Sequence, residues 1–431
     1  MPRTRSHTLL TCAAILLAAP GALPAAEPKP PVEKPNIIFI LADDLGLDGV
    51  GCCGSDVYKK QTPNIDALAA TGTRFEACYA APLCGPSRCM LMTGRYAFRT
   101  GGLTNMSWRE GGPGAKSKDE YPIARLLKEN GYATCQSGKW RQVGETPKEW
   151  GFDQYCTDGT AGGWYWKKSY IKNGETINTD KEVYCPDIVH DFAIDFINRN
   201  KEKPFFLYYA PHLVHLPMER TPDSKPGTTD EKQLYADNVA YLDKQVGLVV
   251  KELERLKLRE KTLIVFSGDN GTAAKFPTTV DGKPISGRKG QMLEGGSRVP
   301  LITNWPGVTP AGKVLKDLVD FSDMYPTFAE IAGAKMPKGL TFDGTGYAPQ
   351  LRGQAGKPRE WVYVQLGAKW YVRSPGWKLT ESGELFDMKD APFVEKPVAK
   401  DTTDAEARAA REKLQKVLDT LKPAAGKTEK Q

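Results

Sequence analysis

The run Leu83-Cys84-Gly85-Pro86-Ser87-Arg88 places a thiol, a proline, a hydroxyl and a guanidinium within little more than one helical turn. A proline in the first turn fixes φ and removes an N–H that would have no partner, so the spacing predicts a helix starting near Pro86. Cys84 then stands at a helix N-terminus, where unpaired N–H groups and the macrodipole favour negative charge. Arg88, one turn on, adds a cation to the same spot. Such a place binds an anion or supports nucleophilic chemistry. An isolated cysteine is more often a buried thiol beside an ordinary helix start, so the rest of the chain has to decide.

Two acidic clusters are the next candidates. Asp43, Asp44, Asp269 and Asn270 supply three carboxylates and an amide oxygen, a donor set for a hard cation, Ca²⁺ or Mg²⁺. Asp-Asp and Asp-Asn-Gly are also common turn formers. Arg88, Lys139 and Lys289 are cations suited to clamping a tetrahedral oxyanion such as phosphate or sulfate. His215 is a candidate general acid or base. The chain has four histidines; His212 and His215 share one tetrapeptide, and His190 falls mid-helix and reads as structural.

These residues need elements to hold them. Asn36-Ile37-Ile38-Phe39-Ile40-Leu41-Ala42 is an unbroken apolar run ending in Asp43-Asp44, the pattern of a strand buried on both faces. Pro204–Tyr209 and Thr262–Phe266 repeat it, ahead of His212–His215 and Asp269-Asn270. Shorter strands are predicted over 74–79, 132–137 (before Lys139) and 299–304. Helices are predicted over 62–72, 121–130, 186–198, 231–256 and 317–333, and a loop or hairpin over 162–180. Alternating strands and helices predict an α/β domain with a mostly parallel sheet. In such sheets ligands bind at the carboxyl ends of strands, which gathers both acidic clusters, Lys139 and His215 on one edge.

After about residue 355, short aromatic-rich runs (361–365, 369–372, 377–379 and 385–387) predict a small C-terminal antiparallel sheet, closed by a helix over 405–421. The expected organisation is a signal peptide (1–26), a linker (27–34), a catalytic domain (35–354), a C-terminal subdomain (355–422) and a disordered tail (423–431). The basic start at Arg3 and Arg5, the apolar run 9–19 and the small residues to Ala26 predict export to the periplasm or outside the cell. That apolar run is short for a membrane span, and no later segment is apolar enough for one. Fifty-nine basic residues stand against 52 acidic ones; with no dense Lys/Arg block, nucleic-acid binding is not expected. Export would permit disulfides among Cys52, Cys53, Cys78, Cys89, Cys135, Cys156 and Cys185, with no pairing legible from the sequence.

The motifs together resemble the sulfatase family of the alkaline-phosphatase-like superfamily. They are Cys84-x-Pro86-Ser87-Arg88-x-x-Leu91-x-Thr93-Gly94-Arg95, Asp43-Asp44-x-Gly46, Gly138-Lys139-Trp140, Asp269-Asn270-Gly271 and Lys289-Gly290-x-x-x-Glu294-Gly295-Gly296-x-Arg298-Val299-Pro300. The late Glu384-Leu385-Phe386-Asp387 fits as well. The resemblance implies an alkaline-phosphatase-like sandwich and hydrolysis of sulfate esters. It also implies that Cys84 is oxidised to formylglycine by a separate formylglycine-generating or sulfatase-maturing enzyme. One Ca²⁺ would be held by Asp43, Asp44, Asp269, Asn270 and the matured Cys84. Arg88 and Lys139 would stabilise the hydrated aldehyde, Lys289 would bind sulfate, and His215 would protonate the leaving oxygen.

Arg141 departs from the family pattern, which has histidine two residues after the lysine. Three roles are open to it. It holds the nucleophile or sulfate electrostatically, another group is the base, or sulfate release is slow. The expected substrate is a sulfated carbohydrate or polysaccharide, with Trp164, Tyr165, Trp166, Lys167 and Lys168 either contacting it or packing a loop. The alternatives are phosphate or phosphonate ester hydrolysis on the same fold, and a non-catalytic protein that binds sulfated glycans.

Overall fold

A computed structural model describes residues 34–108, 112–140, 143–158, 165–273 and 275–426. The expected signal peptide, nearly all of the linker, Arg141, Trp164 and the last tail residues lie outside the described residues.

Among these, ten strands build one sheet in the order β12-β2-β11-β8-β1-β7-β3-β4-β5-β6. The first eight strands are β1 (Asn36–Ala42), β2 (Thr73–Tyr79), β3 (Ala133–Gly138), β4 (Gln154–Asp158), β5 (Trp166–Lys172), β6 (Glu175–Tyr184), β7 (Phe205–Ala210) and β8 (Thr262–Gly268). A two-residue pair, β9 (Thr279–Val280) and β10 (Lys283–Pro284), precedes β11 (Arg298–Asn304) and β12 (Lys313–Asp320). The centre, β8-β1-β7-β3-β4, is parallel. β11 enters antiparallel between β8 and β2, and the β5–β6 hairpin continues the sheet antiparallel at its far edge.

The central strands are apolar throughout because both faces are covered. Ile37, Phe39 and Leu41 of β1 enter one core and Ile38, Ile40 and Ala42 the other. Phe206 and Tyr208 of β7 point the first way, Phe205, Leu207 and Tyr209 the second, as the period of two along a strand requires. Helices α1 (Pro63–Ala70), α5 (Cys185–Arg199) and α6 (Glu231–Arg255) line the second face. Helices α2 (Cys84–Thr93), α4 (Ile123–Glu129) and α8 (Met324–Ile331) line the first. Short helical turns α3 (Ala97–Thr100), α7 (Glu294–Ser297) and α9 (Ala348–Leu351) lie between these elements.

A second sheet, β13 (Val362–Leu366), β14 (Lys369–Arg373), β15 (Trp377–Thr380), β16 (Leu385–Asp387) and β17 (Lys396–Val398), is antiparallel throughout. Val362, Val364 and Tyr371 pack on Ala77, Tyr79 and Leu318 of the main sheet's edge. Helix α10 (Ala405–Leu421) closes the chain. No helix of the described residues is long and apolar enough to cross a membrane.

Two sequence expectations change. Residues 317–320 belong to β12, and the helix there is confined to Met324–Ile331. The predicted helix at Pro86 starts two residues earlier, so Cys84 is its first residue and Leu83 its N-cap. All eight cysteines of the described residues are free thiols.

Candidate active site

Four adjacent parallel strands, β8, β1, β7 and β3, end at one edge and deliver the charged groups. β1 stops at Ala42 and the chain turns. Asp44 takes φ +60, a left-handed conformation that aspartate tolerates better than most residues. Its N–H donates to Asp269 Oδ1 at 3.1 Å, which ties the ends of β1 and β8 together. Asp43 exchanges backbone hydrogen bonds with Leu213 and Val214 after β7. Lys139 follows Gly138, whose φ is +110 and where a Cβ would lie 2.0 Å from Ala210 O. Only glycine fits there, and the turn sends Lys139 into the site. Gly271 is equally constrained, since a Cβ would lie 1.7 Å from Gly295 O. The Asn270 turn therefore rests directly on the loop that carries Lys289.

Cys84 comes from α2, on the far side of β11. Its Sγ lies 3.6 Å from Asp43 Oδ1, 3.9 Å from Asp44 Oδ1 and 3.4 Å from Lys139 Nζ. Arg88 donates through Nε and Nη2 to Asp269 Oδ2, and through Nη1 to Tyr208 Oη and Lys139 O. Lys139 pairs with Asp43 and Lys289 with Asp44, the latter at 2.6 Å. His215 Nε2 stands 3.8 Å from Asp44 Oδ2. Every candidate site residue except Arg141 thus converges on one edge, with three cations facing three carboxylates.

Burial dominates the titration of these groups, and neighbours decide its sign. Burial raises Asp43, but Lys139, His215, Arg88 and Lys289 outweigh it and hold the carboxyl well below the usual range. Asp269 is pushed up to about 6 by burial and the nearby Asp43, against Arg88 and Lys139. Burial also pushes the Cys84 thiol up to about 12, with Asp269 and Asp43 adding to it. The helix N-terminus, expected from the sequence to favour an anion at Cys84, loses to this burial and to the surrounding carboxylates. An unmodified Cys84 is therefore a neutral thiol and a poor nucleophile near pH 7. Burial lowers His215 more than Asp43 and Asp44 raise it.

The donor set fits a hard divalent cation. The oxygen donors are Asp43 and Asp44, whose ligand atoms lie within 4.8 Å of each other and of Cys84 and His215, with Asp269 and Asn270 tied to Asp44 by hydrogen bonds. Asn270 Nδ2 donates to Asp44 Oδ1 and Gly271 O, and its Oδ1 is buried with no hydrogen-bond partner. A buried carbonyl oxygen without a donor, beside three carboxylates, is an acceptor set suited to a hard cation.

A sulfatase family model matches residues 35–334. N-acetylgalactosamine-6-sulfatase of Canis lupus familiaris is 32% identical over 378 residues, covering 79% of this chain and 69% of that protein. The chain belongs to the sulfatase family. Human arylsulfatase A is 32% identical over 389 residues, covering 81% of this sulfatase and 73% of the relative. Among solved structures, Ps i-CgsB in complex with k-i-k-neocarrahexaose superposes with a TM-score of 0.79 at 30% identity, covering 90% and 92% of the two chains. The protein is accordingly a sulfuric ester hydrolase with the fold of its sulfatase neighbours.

Asn105 and Tyr208, beside the sulfatase site, had no site reading in the sequence, whereas Tyr165 and Trp166 did. Asn105 Oδ1 accepts from the N–H of Gly85, beside Cys84, at 2.8 Å. The Tyr208 hydroxyl accepts from Arg88; alternation along β7 puts it on the face shared with α2, a signal the apolar run concealed. Tyr165, one of the possible glycan contacts, is fully buried, and its hydroxyl donates to His215 O at 2.7 Å. It packs beneath the histidine. Trp166 is 36% exposed and donates its indole N–H to Arg220 O.

Proposed function

We propose that this sulfatase removes sulfate from a sulfated carbohydrate, using Cys84 matured to formylglycine and one Ca²⁺. The observation that carries this reading is the junction at Cys84, where a buried side chain meets two carboxylates and Lys139 within 4 Å. A thiol is poorly suited to that place, whereas an oxygen there would be a ligand and a nucleophile in one. Calcium, when bound by Asp43, Asp44, Asp269 and Asn270, would supply a Lewis acid that polarises the sulfate. Formylglycine, when hydrated, would supply the oxygen that attacks sulfur.

The remaining work falls to the chain's own side chains. Lys139 and Arg88, both buried, hold positive charge against the position of the Cys84 side chain, where charge develops. Lys289 lies at the mouth of the site, its side chain 18% exposed, where its ammonium meets a sulfate oxygen arriving from solvent. His215, 19% exposed, holds the proton for the leaving alcohol oxygen. Its ring is fixed by Nδ1 against Leu216 O, which leaves Nε2 facing the site.

A carbohydrate substrate is supported by the names of the relatives, one acting on N-acetylgalactosamine and one solved with a neocarrahexaose. In this reading the chain is exported, cleaved near Ala26 and matured by a formylglycine-generating or sulfatase-maturing enzyme. The test is mass spectrometry of the Cys84 peptide from the native host, together with sulfate release from a panel of sulfated saccharides and phosphate release from matching phosphate esters. We expect the aldehyde mass and release of sulfate over phosphate. An unmodified thiol with no sulfate released from any saccharide would sink the reading, and preferential phosphate release would replace it with the phosphate-ester alternative.

A further inference from the structure

The loop that carries Lys289 is held from two sides. On the site side, Lys289 N donates to Thr272 O at 3.1 Å, Gly290 N to Pro82 O at 2.8 Å and Gly271 N to Gly296 O at 3.0 Å. On the other side the loop meets the C-terminal sheet through buried charge. Glu294, five residues beyond Lys289, is 1% exposed. It accepts from Arg373 Nε of β14 at 2.9 Å, from Tyr79 Oη at 2.9 and 3.1 Å, and from Arg298 Nη1 at 3.2 Å. Lys378 of β15 is 2% exposed; it donates to Met292 O at 2.9 Å and pairs with Glu395. Glu395 in turn accepts from Glu294 N at 2.7 Å. Tyr371 adds a contact to Ser297 Oγ.

We propose that Arg373 and Lys378 are positioning residues for Lys289. From the C-terminal sheet they fix the loop 287–298, and through it the height of the Lys289 ammonium over the site. The physical argument is geometric. Lys289 ends a long flexible side chain, and its backbone is a loop rich in glycine at Gly287, Gly290, Gly295 and Gly296. Such a loop has little intrinsic conformational preference, so its position depends on what holds it from both sides, the site-side backbone hydrogen bonds and the C-terminal sheet. Glu294 has already lost its water, so its ion pairs are direction-specific and costly to leave unmade. Burial would raise its pKa, but Arg373 and Arg298 outweigh that and keep it ionised. The small sheet, some eighty residues later in sequence, thereby becomes part of the sulfate-binding apparatus.

This inference rests on the reading of Lys289 as the sulfate-binding lysine, and the experiment separates the two. The matured enzyme is assayed on a sulfate monoester with inorganic sulfate as inhibitor. Arg373→Gln and Lys378→Met should each raise KM and the sulfate inhibition constant about tenfold, with a smaller fall in kcat. Arg373→Lys should restore part of the loss. In a Lys289→Ala background, Arg373→Gln should add less than about a twofold change, because the residue it positions is gone. Folded variants with unchanged KM and sulfate inhibition would overturn the inference. So would an Arg373→Gln penalty as large without Lys289 as with it. Should Arg373→Gln not fold, Lys378→Met carries the same two outcomes. If Lys289→Ala alone left sulfate-ester turnover intact, the reading of Lys289 would fall and the inference with it.

Discussion

Arg88 and Asp269 form a two-point ion pair, with Nε and Nη2 donating to one carboxylate oxygen at 3.0 and 2.8 Å and both side chains fully buried. The pair joins α2, which carries Cys84, to the end of β8, which carries Asn270. It is thus both a structural bolt and the link between the proposed nucleophile position and the proposed cation ligands.

Breaking that bolt should damage fold and activity together. Removing one partner of a buried pair leaves an uncompensated charge and costs about 3–5 kcal/mol. Arg88→Met should lower unfolding free energy by that order in urea and abolish sulfate release. Arg88→Lys should keep part of the stability, since a single ammonium cannot reproduce the fork, and lose most of the turnover. Unchanged stability in Arg88→Met would contradict the buried pairing.

Divalent cation should stabilise the protein through the acidic cluster. A ligand at a hundredfold excess over its Kd adds about 2.7 kcal/mol to the folded state. Thermal denaturation with Ca²⁺ against a chelator should show a clear upward shift in Tm. Asn270→Ala and Asp44→Asn should shrink that shift, while a charge change remote from the site, such as Lys413→Gln, should not.

The sulfate-release rate should fall as pH rises. His215 has its pKa lowered by burial against the pull of Asp43 and Asp44, and as the proposed proton donor it would work only while protonated. The limb of kcat/KM on the alkaline side should therefore begin below the ordinary histidine value. His215→Gln should flatten that limb at reduced rate. Tyr165→Phe, which removes a hydrogen bond to His215 O, should lower kcat with a loss of about 1 kcal/mol in stability.

Stability itself should fall at acid pH because of His190. Its ring is buried beside the Tyr209 hydroxyl, at 3.2 Å, and burial lowers its pKa from the ordinary 6.5 to about 4. The unfolded chain therefore takes up the proton first. This stabilisation is complete above about pH 6.5 and is lost as pH drops toward 4, a loss on the order of 3 kcal/mol. Urea titrations at several pH values should show His190→Gln with a shallower acid decline than the parent.

The site was legible from the sequence where buried parallel strands end. Both faces of β1, β7 and β8 are covered, so each reads as an apolar run that stops at a polar cluster, and the clusters meet because the strands are neighbours. The edge strand β12 was not legible. Leu315, Leu318 and Val319 mimic a helical spacing because a bulge breaks the period of two between Leu315 and Leu318. Gly333, with φ +66, does end the helix that follows. The support residues Asn105, Arg373 and Lys378 escaped because each acts across the fold on a backbone group or a distant loop, and no local spacing records such a contact.

The burial of Cys84 sets an order of events in time. With its thiol fully buried at the start of α2 against the ends of the central strands, no second protein reaches it once the sheet has closed. On the proposed maturation of Cys84, oxidation to the aldehyde would have to precede closure of the sheet. The topology helps, because parallel pairing joins residues far apart in sequence and forms slowly. Asp269 must meet Asp43 across more than half the chain before the door shuts. On that proposal, a chain that folded too quickly would be stable, correctly shaped and permanently unarmed.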